Sequence, residues 1–215
     1  MNQSFSLDPA GPSPAGKGRL NVIVTFMEMA APPTAPKPAK PAGDVRIMRA
    51  GNPTVAFYRF LYNTVGEPWL WHERRRTPDA DLLAAIADPR VELQVLYVDG
   101  TPAGYVEIDR RAAKNGAEPG AVDLGYFGLM PEYIGRGLGL WLLREGVDMA
   151  WSGGDGAQKT TKLTVNTCTF DHPSALGLYQ SFGFKPVRHV SHNIADPRVH
   201  GWLPRRCAPH VPINE

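Results

Sequence analysis

Apolar positions change their period along the chain, and each change marks an element. LNVIVTFMEM, residues 20–29, alternates as a strand, and DVRIMRA, 44–50, is a second, shorter one. In PTVAFYRFLYNTV, 53–65, the apolar residues recur at helical spacing with Pro53 in the first turn. The loop GEPWLWHERRR leads into TPDADLLAAIADP, 77–89, a short helix with Thr77 as N-cap, Pro78 at its first position and Pro89 as terminator. VELQVLYVDGTPAGYVEIDRR, 91–111, is two β-rich runs around Asp99-Gly100, a strong hairpin signal. After a polar loop at 112–120, AVDLGYFGLMP, 121–131, adds a third antiparallel strand. From 135 to 151, Leu138, Leu142, Leu143, Val147, Ala150 and Trp151 share one helical face, which should pack on the sheet. A loop at 153–158, the strand KLTVNTCT at 162–169, a helix from HPSALGLYQSFGF ending at Gly183, and the strand KPVRHVSHNI at 185–194 complete the pattern.

The ends follow no period. Residues 1–19 are rich in Gly, Pro and Ser and predict a flexible leader. AAPPTAPKPAKPAG, 30–43, predicts a semi-rigid polyproline connector inside a single domain of 20–195, and 196–215 reads as a tail without pattern. With 215 residues, 43% of them hydrophobic, the chain can bury one substantial core. Its 23 Lys and Arg against 21 Asp and Glu are interspersed, which gives no reason to expect nucleic acid. Two cysteines, Cys168 and Cys207, argue against a disulfide framework. No apolar run approaches the length of a membrane span and no signal peptide is evident, so no membrane partner and a cytoplasmic location are expected. His189, His192, His200 and His210 follow no metal-ligand spacing, and no metal is expected.

The chemistry concentrates in LGYFGLMPEYIGRGLGLWLL, 124–143, where a β-run passes through Pro131 into a glycine-rich turn and an amphipathic helix. Glycine lets an anion approach the backbone, and the unpaired N–H groups at a helix start attract it, so a pyrophosphate is the natural guest. The turn is not closed by Gly-Lys-Ser/Thr, which excludes a P-loop. Leu140 stands where a dinucleotide fingerprint needs its third glycine, and a hairpin precedes it rather than the first strand of a βαβ unit.

This segment resembles motif A of the GNAT superfamily of acyl-CoA N-acyltransferases, Arg/Gln-x-x-Gly-x-Gly/Ala after a strand and a proline, with Gly137 and Gly139 in the glycine places and Ile134 in place of Arg or Gln. KLTVNTCTFDHPSALGLYQSFGFKP is similar to the family's motif B: Ala175, Leu178, Tyr179, Gly183 and Phe184 fit, while His172 replaces the usual Asn. The resemblance covers roughly 44–195. It implies an α+β fold with a mixed, mostly antiparallel central sheet flanked by helices on both faces. It also implies transfer of the acetyl group of acetyl-CoA to a primary amine by direct attack through a tetrahedral intermediate. Cofactor contacts are then expected from Leu129, Met130, Ile134, Gly135, Arg136, Gly137, Leu138, Gly139, His172 and Tyr179, with the carbonyl near the N–H of Leu129 or Met130.

The resemblance makes Tyr179 the acid that protonates the departing thiolate. Asp123, Glu107 and Glu67 are candidate bases. Trp69, Trp71 and Tyr126, with Tyr58 and Tyr62, are candidates for an aromatic acceptor pocket, where Glu67 would favour a cationic amine. The acceptor, a small molecule or a peptide, is left open, and pairing into a homodimer accords with the family's habit. A non-catalytic acyl-CoA sensor is the competing reading; it would keep the glycine turn and dispense with Tyr179.

Overall fold

The computed structural model describes residues 13–111, 118–153 and 159–215. In chain order run β1 (Ser13–Gly16), β2 (Arg19–Met29), β3 (Val45–Arg49), α1 (Val55–Gly66), α2 (Glu73–Arg76), α3 (Asp79–Ile86), β4 (Val91–Val98), β5 (Thr101–Asp109), β6 (Ala121–Leu129), α4 (Leu138–Ser152), β7 (Lys162–Cys168), α5 (Ala175–Ser181) and β8 (Lys185–Ala195). Two 3₁₀ turns, Glu67–Trp69 and Pro131–Tyr133, join them.

The strands form one sheet in the order β3-β4-β5-β6-β7-β2-β8, with β1 beside the first residues of β2. Every pair is antiparallel except β6 with β7. Asp99 and Gly100 turn the β4–β5 hairpin with positive φ of 49° and 77°, the handedness a two-residue hairpin requires. Alternation then divides the core. Leu93, Val95 and Tyr105 meet α1 and α3 on one face, while Leu96, Val106 and Ile108 meet α4 on the other. The fold is α+β with helices on both faces, as the resemblance implies.

Local signals decide the helix starts. Thr54 caps α1, its Oγ1 accepting from Phe57 N–H at 3.2 Å, so Pro53 lies outside the helix and not in its first turn. Thr77 does not cap the next helix. Its hydroxyl donates to Glu73 O at 3.0 Å and closes α2, leaving Pro78 to precede α3. That short α2 forms inside what the sequence alone reads as loop.

Both ends contain more structure than their composition suggests. Ser13–Gly16, within the expected leader, pairs with β2; residues 1–12 lie outside the described residues. The tail is folded around a buried ion pair. Arg198 Nη2 lies 2.8 Å from Asp196 Oδ2, and the same guanidinium donates to the carbonyls of Cys207, Ala208, Val211 and Pro212. Leu203, Cys207 and Val211 thereby pack on Leu20, Leu70 and Phe170. A periodicity search misses this, because the tail is held by a side chain satisfying carbonyls and not by a repeating apolar face.

The proline tract carries β2 from the middle of one half of the sheet to β3 at the far edge. It crosses α4, where Lys37 pairs with Glu145 at 2.8 Å and Asp148 at 3.3 Å, and Arg144 donates to Ala35 O at 2.8 Å.

Candidate active site

β6 and β7 are paired only from Ala121↔Lys162 to Asp123↔Thr164. Beyond that point β6 stays with β5 and β7 stays with β2, so the two strands part. The gap continues into a cleft of about 820 Å³ floored by Leu124–Leu129 and bounded by Asn166, Cys168, the glycine turn and Tyr179.

The glycine turn sits at the end of this gap. Gly135 and Gly137 have φ of 82° and 74°, a left-handed backbone that side-chain-bearing residues adopt at a cost. Gly137 caps α4 with no side-chain hydrogen bond, and the first intrahelical bond runs from Trp141 N to Gly137 O at 3.5 Å. The N–H groups of Leu138, Gly139 and Leu140 are therefore presented at the helix's positive end. At the opposite end Arg110 donates to Met149 O and Ala150 O, which satisfies the carbonyl pole and leaves the amide pole for an anion. Ile134, Gly135, Gly137 and Gly139 line the cleft. Leu138 turns its side chain into the core, 3% exposed, and Arg136 points outward over Tyr133, so only main-chain atoms of Leu138 can serve a ligand and Arg136 is not among the lining residues.

Of the two N–H groups expected at the carbonyl, one is already used: Met130 N–H donates to Ala103 O at 2.8 Å. Successive N–H groups of an antiparallel strand face alternate edges, so the N–H of Leu129 is directed to the β7 side, where the gap is.

Tyr179 projects from α5 into the cleft between the rings of Phe127 and Phe184, at 6.2 and 5.9 Å. Burial, then the nearby carboxylates of Asp171 and Asp123, push its phenol well above the ordinary range. Its hydroxyl is a proton donor throughout the neutral range. His172 also lines the cleft, its Nδ1 in contact with Ser174 Oγ at 2.7 Å and its ring edge-on to Trp69.

None of the three expected bases lines the cleft. Glu107 is 1% exposed and bound by Tyr58 OH at 2.6 Å and Arg74 Nη2 at 3.3 Å. Asp123 accepts from Thr164 Oγ1 at 2.6 Å at the last rung before the strands part. Glu67 is turned to Arg75 and Arg206. The carboxylates that do line it are Glu73 and Asp171. Sequence reasoning passes over both: Glu73 is lost in the charged run of HERRR, and Asp171 directly precedes the motif B position that His172 occupies.

Several of the aromatic residues gather at the cleft. Trp71, Tyr126 and Tyr62 lie within 5.2–5.5 Å of one another, centroid to centroid. Tyr58, by contrast, is fully buried under α1 and does not line the cleft. Trp71 reaches its place because Gly66 lacks a Cβ: one added there would lie 2.4 Å from the indole. The turn between them is closed by Trp71 N–H to Gly66 O at 3.0 Å, with Leu70 in the left-handed region. The folded tail braces this turn from behind, His210 packing on Trp69 and Cys207 on Leu70.

Most of the residues that line the cleft lie in a segment known proteins share. Residues 55–184 match the Acetyltransferase (GNAT) family. The chain belongs to that family. Among GNAT relatives, the N-alpha-acetyltransferase RimI of Mycobacterium tuberculosis is 32% identical over 121 residues, 56% of this chain and 64% of that protein. A GCN5-related N-acetyltransferase from Sphaerobacter thermophilus superposes with a TM-score of 0.56 at 20% identity, over 86% of this chain and 53% of the other. A functionally unknown conserved protein from Staphylococcus epidermidis gives 0.56 at 14% identity, over 83% and 63%. At such identities the two structures show a shared fold. The chain spans about half to two thirds of the length of these three proteins. β1 to β3, β8 and the tail lie outside the family match. No helix among the described residues is long and apolar enough to cross a membrane.

Proposed function

We propose that the protein is an acetyl-CoA-dependent N-acetyltransferase that transfers acetyl directly to a primary amine. The supporting observation is the uncapped start of α4 beside the parted strands β6 and β7, an anion site and a slot in one continuous cleft. Acetyl-CoA supplies an activated thioester on a pyrophosphate-bearing arm. The N–H groups of Leu138, Gly139 and Leu140 bind the pyrophosphate, and the unpaired inner edge of β6 receives the pantetheine by strand-like hydrogen bonds. The Leu129 N–H stabilises the thioester oxygen as it takes up charge. Tyr179 donates its proton to the departing sulfur.

A covalent acetyl-cysteine route has a thiol at hand in Cys168, which lines the cleft. Burial, then the charge of Asp171, push that thiol up to about 12, so it stays protonated and a poor nucleophile, which favours direct attack.

Titration calorimetry with acetyl-CoA, followed by thiol release across amine classes, tests the proposal. Micromolar binding and amine-dependent release are expected. Well-folded protein that takes up no acetyl-CoA overturns the binding reading, and uptake without release on a broad amine panel turns the assignment to a sensor.

A further inference from the structure

Asp171 follows β7 on a short turn closed by its own N–H to Cys168 O at 3.0 Å, with the carboxylate facing the cleft beside Trp71. Its two oxygens are unequally used. Oδ2 accepts from Cys168 N–H and Thr167 Oγ1, both at 2.8 Å. The Cys168 thiol also bonds to the carboxylate, and Oδ1 receives Trp71 Nε1–H at 3.5 Å, beyond normal hydrogen-bond length, and so retains acceptor capacity. Glu73 stands across the same aromatic pair, its Oε2 at 3.4 Å from Tyr126 OH. The titratable groups that line the cleft with Asp171 are Cys168 on β7, His172 on its own turn, Tyr179 on α5, His192 on β8, Tyr126 on β6, Tyr62 on α1, and His72 and Glu73 at the start of α2, with Asp123 on β6 acting on Tyr179 from beyond. No lysine or arginine is among the residues that line the cleft.

We propose that Asp171 Oδ1 receives the acceptor's ammonium and takes its proton, and that Asp171 and Glu73 together confine acceptors to amines with no carboxylate next to the nitrogen. This rests on the acetyl-transfer reading and adds to it the base and the acceptor class. An alkylamine, an amino sugar or a peptide α-amine brings a lone positive charge to two carboxylates. A free amino acid also brings a negative charge, for which the described residues that line the cleft offer no lysine or arginine, and like charges at close range in a partly desolvated site repel strongly.

The protons balance. One passes from the ammonium to Asp171 and on to solvent. The neutral nitrogen then forms the C–N bond as the C–S bond breaks. A second proton leaves nitrogen, and Tyr179 gives one to sulfur and is restored from it. The sum is amide, coenzyme A thiol and one proton. Burial pushes the Asp171 carboxyl up, against the opposing pull of the Cys168 N–H and the Thr167 hydroxyl, which makes it a stronger base than an exposed aspartate.

The test uses thiol release by the full chain with α-amino acids, their amides and the corresponding decarboxylated amines. The preferred acceptors are expected among amides and simple amines, with each free amino acid at least about tenfold poorer in kcat/KM than its amide. A free amino acid that matches its amide overturns the selectivity. Asp171→Asn keeps an oxygen for Thr167 and Cys168 and removes the basicity. It is expected to lower kcat/KM at pH 7 by about 10²–10⁴-fold, to regain activity as pH rises towards the amine's own pKa, and to leave the acetyl-CoA Kd unchanged. Wild-type rate in Asp171→Asn refutes the base. Thr167→Val, which keeps the carboxylate, is expected to move the acidic limb of the profile to higher pH; an unmoved limb counts equally against it. Wild-type protein that releases no thiol with any amine refutes the acetyl-transfer reading itself, a result distinct from all of these.

Discussion

At the residue scale the assignments turn on which polar atoms are already spent. Met130 N–H and Glu107 are engaged by neighbours, whereas Leu129 N–H and Asp171 Oδ1 keep capacity where the strands part. The sequence identifies Tyr179 through its motif, since a tyrosine four residues after Ala175 on a short helix must share that helix's inner face. It does not single out Asp171 or show that Glu107 is engaged, because both depend on partners distant along the chain: Trp71 for one, Tyr58 and Arg74 for the other. Tyr179→Phe is expected to lower kcat by about 10²–10⁴-fold with the acetyl-CoA Kd unchanged, measured by single-turnover thiol release. Because burial raises the phenol's pKa, its proton is lost only in strongly alkaline solution. The wild-type rate should therefore climb with pH as amine and base deprotonate, with no falling limb from Tyr179 below about pH 10.

At the element scale the glycines divide into two kinds. Gly135 and Gly137 are required by backbone handedness, with nothing near the Cβ that either lacks. Gly66 and Gly128 are required by contact: a Cβ on Gly128 would lie 2.5 Å from Val65, and one on Gly66 would strike Trp71. The first kind is legible in sequence as a glycine-rich strand-to-helix turn, and that is why α4 and its anion site are foreseeable. The second kind is not, since Gly66 closes an otherwise ordinary amphipathic helix. Gly66→Ala is expected to cost about 1–3 kcal/mol in denaturant unfolding, the range for overpacking, and to raise the acceptor KM while leaving acetyl-CoA binding alone. Equal effects on both ligands would show that the Trp71 turn also shapes the coenzyme end.

At the scale of the whole molecule, segments outside the family match complete the sheet and brace the Trp71 turn. The tail's integrity depends on Arg198. Arg198→Met strands a fully buried Asp196 and frees four carbonyls, and about 3–5 kcal/mol of destabilisation is expected in thermal or denaturant unfolding. Burial alone would push Asp196 up, but the hydrogen bonds from Arg198 outweigh it and hold the carboxyl below the usual range. Its contribution is thus present above the ordinary carboxylate pKa of about 4 and is lost as pH falls through the depressed value, so the tail should detach first on acidification, seen as faster amide exchange over 196–212.

β2 lies between strands drawn from the last third of the chain: Met29 faces Leu163 and Leu20 faces Ile194. On a ribosome adding about 5–20 residues each second, this early strand emerges long before either partner exists. Its alternating apolar side chains must stay unsatisfied for many seconds, or be shielded by a chaperone, until β7 and β8 have been made. Misassembly of this protein should therefore begin at β2, and nascent chains halted before β7 should be the ones that aggregate.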